Sequence, residues 1–274
     1  MTDAVPLRVE VAEGGLRGEE SGTGTPVVLI HGFSFDRSMW DPQLAALARY
    51  ESDTAGHQGA GGYRVIRYDL RGFGESGAPV AGRDHVGDLI ALLDGLAADR
   101  AHLVGLSLGA NIALAAAVHH PGRVRSLVLA SPGLPGHRWT TPRPPDEAAD
   151  VARREGVAAA KRYWLGHEIF RSADQYPAAR DRLAAMVARF PAYQWADGPA
   201  AAPLPSLAGR LAGLRVPVLI LNGALDVAGY REIAGVLERE IPGAERHELA
   251  AAGHLLNLEH PEDFNARLLR FLGS

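Results

Sequence analysis

At 274 residues, 47% of them hydrophobic and 22% charged, the chain has the apolar material for a sizeable core and not the composition of a disordered protein. A formal charge of -4 provides no broad electropositive surface for a phosphate backbone, and the lack of cysteine removes disulfides, thiolate catalysis and Cys-ligated metals together. The start, MTDAVPLRVEVAEGG, has no basic region followed by an apolar core, and no run approaches the roughly 18 apolar residues of a membrane span; the expectation is a cytoplasmic protein whose partner is a small molecule, with no nucleic acid and no membrane.

The first element is an alternating stretch, LRVEV, which turns at Glu13-Gly14-Gly15 and predicts an antiparallel hairpin. PVVLI from Pro26 reads as a buried strand, and WDPQLAALARY after it as a helix. ESDTAGHQGAGG at 51 to 62 is a glycine-rich loop from helix to strand; such loops lie at the sheet edge opposite the ligand crevice, so His57 reads as a solvated loop residue. Strand and helix then alternate: YRVIRY from Tyr63, HVGDLIALLDGLA, AHLVG from Ala101, ANIALAAAVHH, and VRSLVLA from Val124. From about Gly133 to Leu214 the rhythm breaks. The proline-rich PGLPGHRWTTPRPP cannot sustain a helix or a central strand, and the helical patterns DEAADVARREGVAAAKRYWLG and PAARDRLAAMVARF follow without a strand between them. Alternation resumes with PVLILNG, YREIAGVLEREI, ERHELA and PEDFNARLLRFL. This order predicts an α/β fold with a mostly parallel central sheet and helices on both faces. The core is residues 1–132 and 215–274, and residues 133–214 form a helical cap, or lid, over the carboxyl ends of the strands.

Between the AHLV strand and the helix that follows stands GLSLG, with Ser107 between Gly105 and Gly109. A sharp strand-to-helix turn strains the backbone of its central residue and needs small neighbours where the two elements approach, which suits a serine pushed into a cleft as a nucleophile. The amide groups of the following helix point at the place where negative charge develops in acyl transfer. A serine hydroxyl needs a base, and His254 in AAGHLLNLEHP follows the last strand at the same sheet edge. His102, His119, His120 and His247 have structural readings, His31 reads as a hydrogen-bonder within its loop, and His260, before a proline at a helix start, as a cap. The base needs an acid. Asp226 in LILNGALDVAG follows the penultimate strand, nearer in chain order to the strand before His254 than its competitor Asp69 in IRYDLRGFGES, whose carboxylate reads as a brace of its own turn. Two backbone donors complete the set: the amide of Leu108, and that of Phe33 in HGFSFDRSMW, where Gly32 permits close approach.

HGF at 31, DLRGFGES at 69, GLSLG at 105, the aspartate of NGALD and the histidine of AAGHLLNLEHP, in the order Ser, Asp, His, resemble the α/β-hydrolase fold superfamily over nearly the whole chain. The resemblance implies a triad of Ser107, Asp226 and His254 with an oxyanion hole from the amides of Phe33 and Leu108, and it is greatest to small capped esterases, enol-lactonases and cofactor-free haloperoxidases. A serine at the elbow disfavours the haloalkane dehalogenases and epoxide hydrolases of this fold, which use aspartate there. HGFSFD lacks the Gly-Pro-Gly that often follows the HG pair in carbon-carbon bond hydrolases and prolyl aminopeptidases. No HExxH motif and no phosphate or dinucleotide loop occurs, so no metal and no cofactor is implied.

Aromatic residues concentrate in the 133–214 segment and in the loop after PVVLI. Phe35, Trp40, Trp139 and Trp164 are candidates for an apolar substrate pocket. The expected activity is hydrolysis of an ester, lactone or thioester of a mainly hydrophobic, uncharged small molecule through an acyl-enzyme. The alternatives are the same triad used for perhydrolysis, carbon-carbon bond hydrolysis or a biosynthetic cyclisation, and a non-catalytic ligand-binding protein on the same fold.

Overall fold

The structure, a computed structural model, describes residues 5–9, 15–48, 62–195 and 201–274. The predicted turn residues Glu13 and Gly14, and the loop carrying His57, lie outside the described residues. Eight strands form one sheet: β1 (Val5–Val9), β2 (Leu16–Ser21), β3 (Thr25–Ile30), β4 (Tyr63–Tyr68), β5 (Ala101–Leu106), β6 (Val124–Ala130), β7 (Val218–Gly223) and β8 (Glu245–Leu249). Their order is β1-β2-β4-β3-β5-β6-β7-β8. The hairpin partners β1 and β2 pair antiparallel with Val5 opposite Glu20, and β2 is antiparallel to β4 as well; the remaining pairings are parallel. Val27 to Ile30 of β3 and Leu103 and Val104 of β5 have no exposed surface, which is why these strands read as unbroken apolar runs: helices cover both faces.

Around the sheet lie α1 (Asp41–Ala48), α2 (His85–Gly95), α3 (Leu108–His119), α7 (Ala228–Glu240), α8 (Leu256–Glu259) and α9 (Pro261–Leu272). α1 begins at Asp41, one residue later than its pattern suggested, because Arg37–Trp40 form a 3-10 turn capped by Asp36, whose carboxylate accepts from the Ser38 amide at 2.9 Å. α3 starts two residues before Ala110, directly after Ser107.

Between β6 and β7 the described residues form α4 (Pro144–Glu155), α5 (Val157–Leu165) and α6 (Pro177–Arg189) with 3-10 turns, and no strand. The first helical stretch departs from its pattern in two ways. Pro144 and Pro145, the end of the proline-rich run, begin α4, where a missing amide proton costs nothing. Gly156, at φ 85, then separates α4 from α5, because only glycine adopts that angle without strain. The segment rests on the loops that follow β3 and β8. Arg189 donates to Asp36 at 2.7 and 3.0 Å, Arg182 donates to the Ser38 carbonyl at 2.7 Å and pairs with Asp41, and the Trp164 indole donates to Ser34 at 2.7 Å. On the β8 side, Ser172 donates to Glu259 at 2.9 Å. No helix among the described residues is long and apolar enough to cross a membrane.

Candidate active site

Ser107 stands at the end of β5 with φ 54 and ψ -109, a backbone conformation that costs on the order of 1–3 kcal/mol for a residue with a side chain. The neighbouring glycines explain how the turn closes. A Cβ on Gly105 would come within 2.3 Å of the Gly109 carbonyl group, and one on Gly109 within 2.0 Å of the Ile30 carbonyl oxygen. The Ser107 amide donates to Ala130 of the adjacent strand at 2.9 Å, fixing the turn to the sheet. Leu108 opens α3, so its amide has no acceptor within the helix.

His254 and Asp226 meet although 28 positions apart: His254 Nδ1 lies 2.9 Å from Asp226 Oδ2, with both side chains buried. The carboxylate only accepts, so the neutral form of the ring carries its proton on Nδ1 and keeps the lone pair on Nε2. The loops carrying the two residues are joined through the backbone, with Ala224 donating to Leu249 at 3.0 Å and Leu225 to Ala252 at 2.9 Å. Asp226 Oδ1 accepts from the Val227 amide at 2.8 Å, which fixes its carboxylate. Asp69, the alternative acid, is engaged elsewhere. It accepts from the amides of Arg37 at 2.7 Å and Glu75 at 2.9 Å and pairs with the Arg37 guanidinium, bracing the turn after β4.

A cavity of about 490 Å³ is lined by Phe33, Ser107, Leu108, Trp139 and Tyr230 among others. Of the four aromatics expected in a pocket, only Trp139 lines it. Phe35 packs on Phe170, with ring centroids 6.1 Å apart, Trp40 lies 6.1 Å from Phe264, and Trp164 spends its indole N–H on Ser34. All three are buried in the hydrophobic core, because aromatic spacing marks burial without saying which face meets a cavity.

The sequence reading missed Tyr230. Its ring lies 4.4 Å from that of His254 and its phenol is influenced by Ser107, so it stands beside both residues on the wall of the cavity. Burial pushes its phenol up to about 12, against the pull of Ser107, so it carries its proton at neutral pH. The one sign of it in the sequence is an aromatic four positions after Asp226, where a helix begins. Two histidines behave differently from their neighbours. His31 Nε2 accepts from the Leu70 amide at 2.9 Å and its Nδ1 lies 2.8 Å from the Gly32 carbonyl, while burial lowers its pKa; it holds its loop as a neutral ring. His260 stands at the first turn of α9 but makes no side-chain cap; its Nε2 is 2.7 Å from the Tyr176 hydroxyl instead, because the packed phenol competes for the ring. Among the described residues no group of three or more His, Asp or Glu is placed to hold a metal ion.

The alpha/beta hydrolase family matches residues 27–267. The chain is similar to the 2-hydroxy-6-oxononadienedioate/2-hydroxy-6-oxononatrienedioate hydrolase of Paraburkholderia phymatum, 30% identical over 97% of this chain and 94% of that one. Among solved structures, the enol-lactonase of Burkholderia xenovorans superposes with a TM-score of 0.75 at 27% identity, covering 98% of this chain and 100% of that one. Carboxylesterase CesB of Bacillus subtilis gives a TM-score of 0.76 at 26% identity, covering 98% and 92%.

Proposed function

The chain belongs to the alpha/beta hydrolase family, and from that premise we propose that it is a serine hydrolase cleaving an ester, lactone or thioester of a mainly hydrophobic, uncharged small molecule. The observation that carries this reading is the combination of a strained Ser107 on the cavity wall with a buried Asp226–His254 pair, Tyr230 standing beside both.

In this reading Ser107 Oγ attacks the carbonyl carbon while His254 Nε2 takes its proton, and Asp226 holds the ring and stabilises the imidazolium that forms. The oxyanion develops against the amides of Phe33 and Leu108, worth on the order of 3–4 kcal/mol for each donor in such sites. His254 then gives its proton to the leaving oxygen or sulfur, and the same histidine activates the water that releases the acyl group. Residues 133–214 serve as a helical cap that shields these steps from bulk water. The wall suits an uncharged substrate, because Arg143 and Asp146 pair with each other at 3.0 and 2.6 Å and leave no net charge between them.

Hydrolysis of nitrophenyl esters of graded acyl length tests the proposal, run beside Ser107→Ala and His254→Ala. Each variant is expected to lose kcat by at least about 10³-fold while keeping its fold by circular dichroism. Full activity in Ser107→Ala, or a wild type inert to the esters and unlabelled by an organophosphonate, would refute it and bring a ligand-binding role forward.

A further inference from the structure

Part of the cavity wall is built from residues whose polar groups the fold leaves unused. Both amide atoms of Gln194, Nδ1 of His85, Nε1 of Trp195 and Oδ1 of Asn111 are buried and have no hydrogen-bond partner among the described residues, and all four residues line the cavity that contains Ser107. His85 and Trp195 are only 6% and 5% exposed. Buried polar atoms in folded proteins are nearly always paired, so four such residues on one cavity are an arrangement for a ligand.

We propose that this wall is a subsite for an uncharged planar group that both donates and accepts hydrogen bonds, an amide or carbamate, carried by the substrate beside its scissile carbonyl. The inference rests on the reading that this cavity takes the substrate, and it adds the class of group the substrate bears. The chemistry of the four residues points that way. The indole N–H of Trp195 can only donate, and Asn111 Oδ1 can only accept. Gln194 presents one donor and one acceptor whichever way its amide is turned. Burial brings His85 down to about 4, so at neutral pH it is an uncharged ring with one N–H and one lone pair. No member of the set carries a charge. A carboxylate would face the Asn111 and Gln194 oxygens without a cation to offset it, and an ammonium would face the Trp195 N–H.

The surroundings suit a flat group. Phe73 lies 6.2 Å from His85 and Phe33 lies 5.8 Å from Trp195, so aromatic faces border the polar atoms. Asn111 is one helical turn beyond Ser107, its backbone N–H donating to the Ser107 carbonyl at 3.0 Å, which sets the subsite a short reach from the attacked carbon.

The test separates binding from turnover. Calorimetry with the Ser107→Ala protein measures Kd for phenyl esters of one chain length in which a single CO–NH replaces CH2–CH2, stepped first along the acyl side and then along the alcohol side. The best-placed amide is expected to bind about tenfold more tightly than the all-carbon ester. Adding Gln194→Leu to that protein should bring the ratio close to one without weakening the all-carbon ester. His85→Phe and Asn111→Leu give the same comparison should the leucine variant fail to fold. Equal or undetectable binding across the series, or a preference untouched by all three changes, overturns the subsite. Amide preference in binding with no hydrolysis by the wild-type protein counts against the serine-hydrolase reading alone, whereas hydrolysis of every ester with no amide preference counts against the subsite alone.

Discussion

Tyr230 stands beside both Ser107 and His254, and its phenol stays protonated through the neutral range because burial holds its pKa up. In the proposed mechanism this phenol is a neutral hydrogen-bonding group beside Ser107, and one such hydrogen bond is worth about 0.5–1.5 kcal/mol. Tyr230→Phe keeps the ring against His254 and removes only the hydroxyl. It is expected to lower kcat by roughly 2- to 10-fold with KM and melting temperature nearly unchanged, by steady-state kinetics and calorimetric melting. A melting temperature that falls with kcat would make the hydroxyl a packing contact. At this scale the sequence was legible where chemistry imposes a pattern: two glycines around Ser107, an aspartate and a histidine after successive strands. Tyr230 and Gln194 follow no such pattern. Which cavity a side chain faces depends on how α7 and the turn around Tyr193–Trp195 are docked, and no local spacing records that.

Elements supply the positions that residues cannot hold alone. The loop between β8 and α8 carries His254, and Glu259 at the far end of α8 folds back on it: one buried carboxylate accepts from the Gly253 amide at 2.6 Å, the Leu255 amide at 3.3 Å and the Ser172 hydroxyl at 2.9 Å. Burial raises its pKa while these donors and His254 hold it down. Glu259→Ala leaves three donors unmatched beside His254. Its expected cost is about 2–4 kcal/mol by urea denaturation, with a larger change in kcat than in KM because His254 is displaced; Glu259→Gln, which keeps one acceptor oxygen but turns an NH2 group toward one of the donors, should recover only part of both. The sheet and its flanking helices were legible as elements because buried parallel strands are unbroken apolar runs and helices keep their period. The 133–214 segment was legible only as helical. Its break at Gly156 and its start at Pro144 depend on single backbone angles, and periodicity is blind to those.

Across the whole molecule, buried histidines set the acid limit of stability. His85 and His102 both titrate near 4 in the fold, the first through burial beside Asp88 and Arg71, the second through burial while its Nδ1 lies 2.7 Å from Ser126. In the unfolded chain each returns to about 6.5. The unfolded state therefore takes up protons first as the pH falls, and stability that is complete above about pH 6.5 is lost progressively down to about pH 4. For His85 this amounts to about 3 kcal/mol at most. Glu259, raised by burial, works in the opposite direction over the acid part of that range. The urea midpoint is expected to drop between pH 7 and pH 5, and to drop less in His102→Gln and in His85→Phe. An unchanged pH slope in both variants would assign the acid sensitivity elsewhere.

The chain leaves the sheet after Ala130 and re-enters it at Val218 on the neighbouring strand, with Ala130 in register with Leu221 and the Ser131 amide donating to Leu221 at 2.8 Å. Exit and return thus lie on neighbouring parallel strands but at opposite edges of the sheet, Val218 being in register with Leu127. Both ends are nevertheless fixed by paired strands, so the stretch between them is a cassette: its length and content can be exchanged without moving β6 or β7, and so without moving Ser107 or Asp226. Trp139, Gln194 and Trp195 travel with the cassette, while Ser107, Asp226 and His254 stay behind. Divergence in the lining of the cavity can therefore accumulate in one continuous stretch of chain while Ser107, Asp226 and His254 are inherited intact.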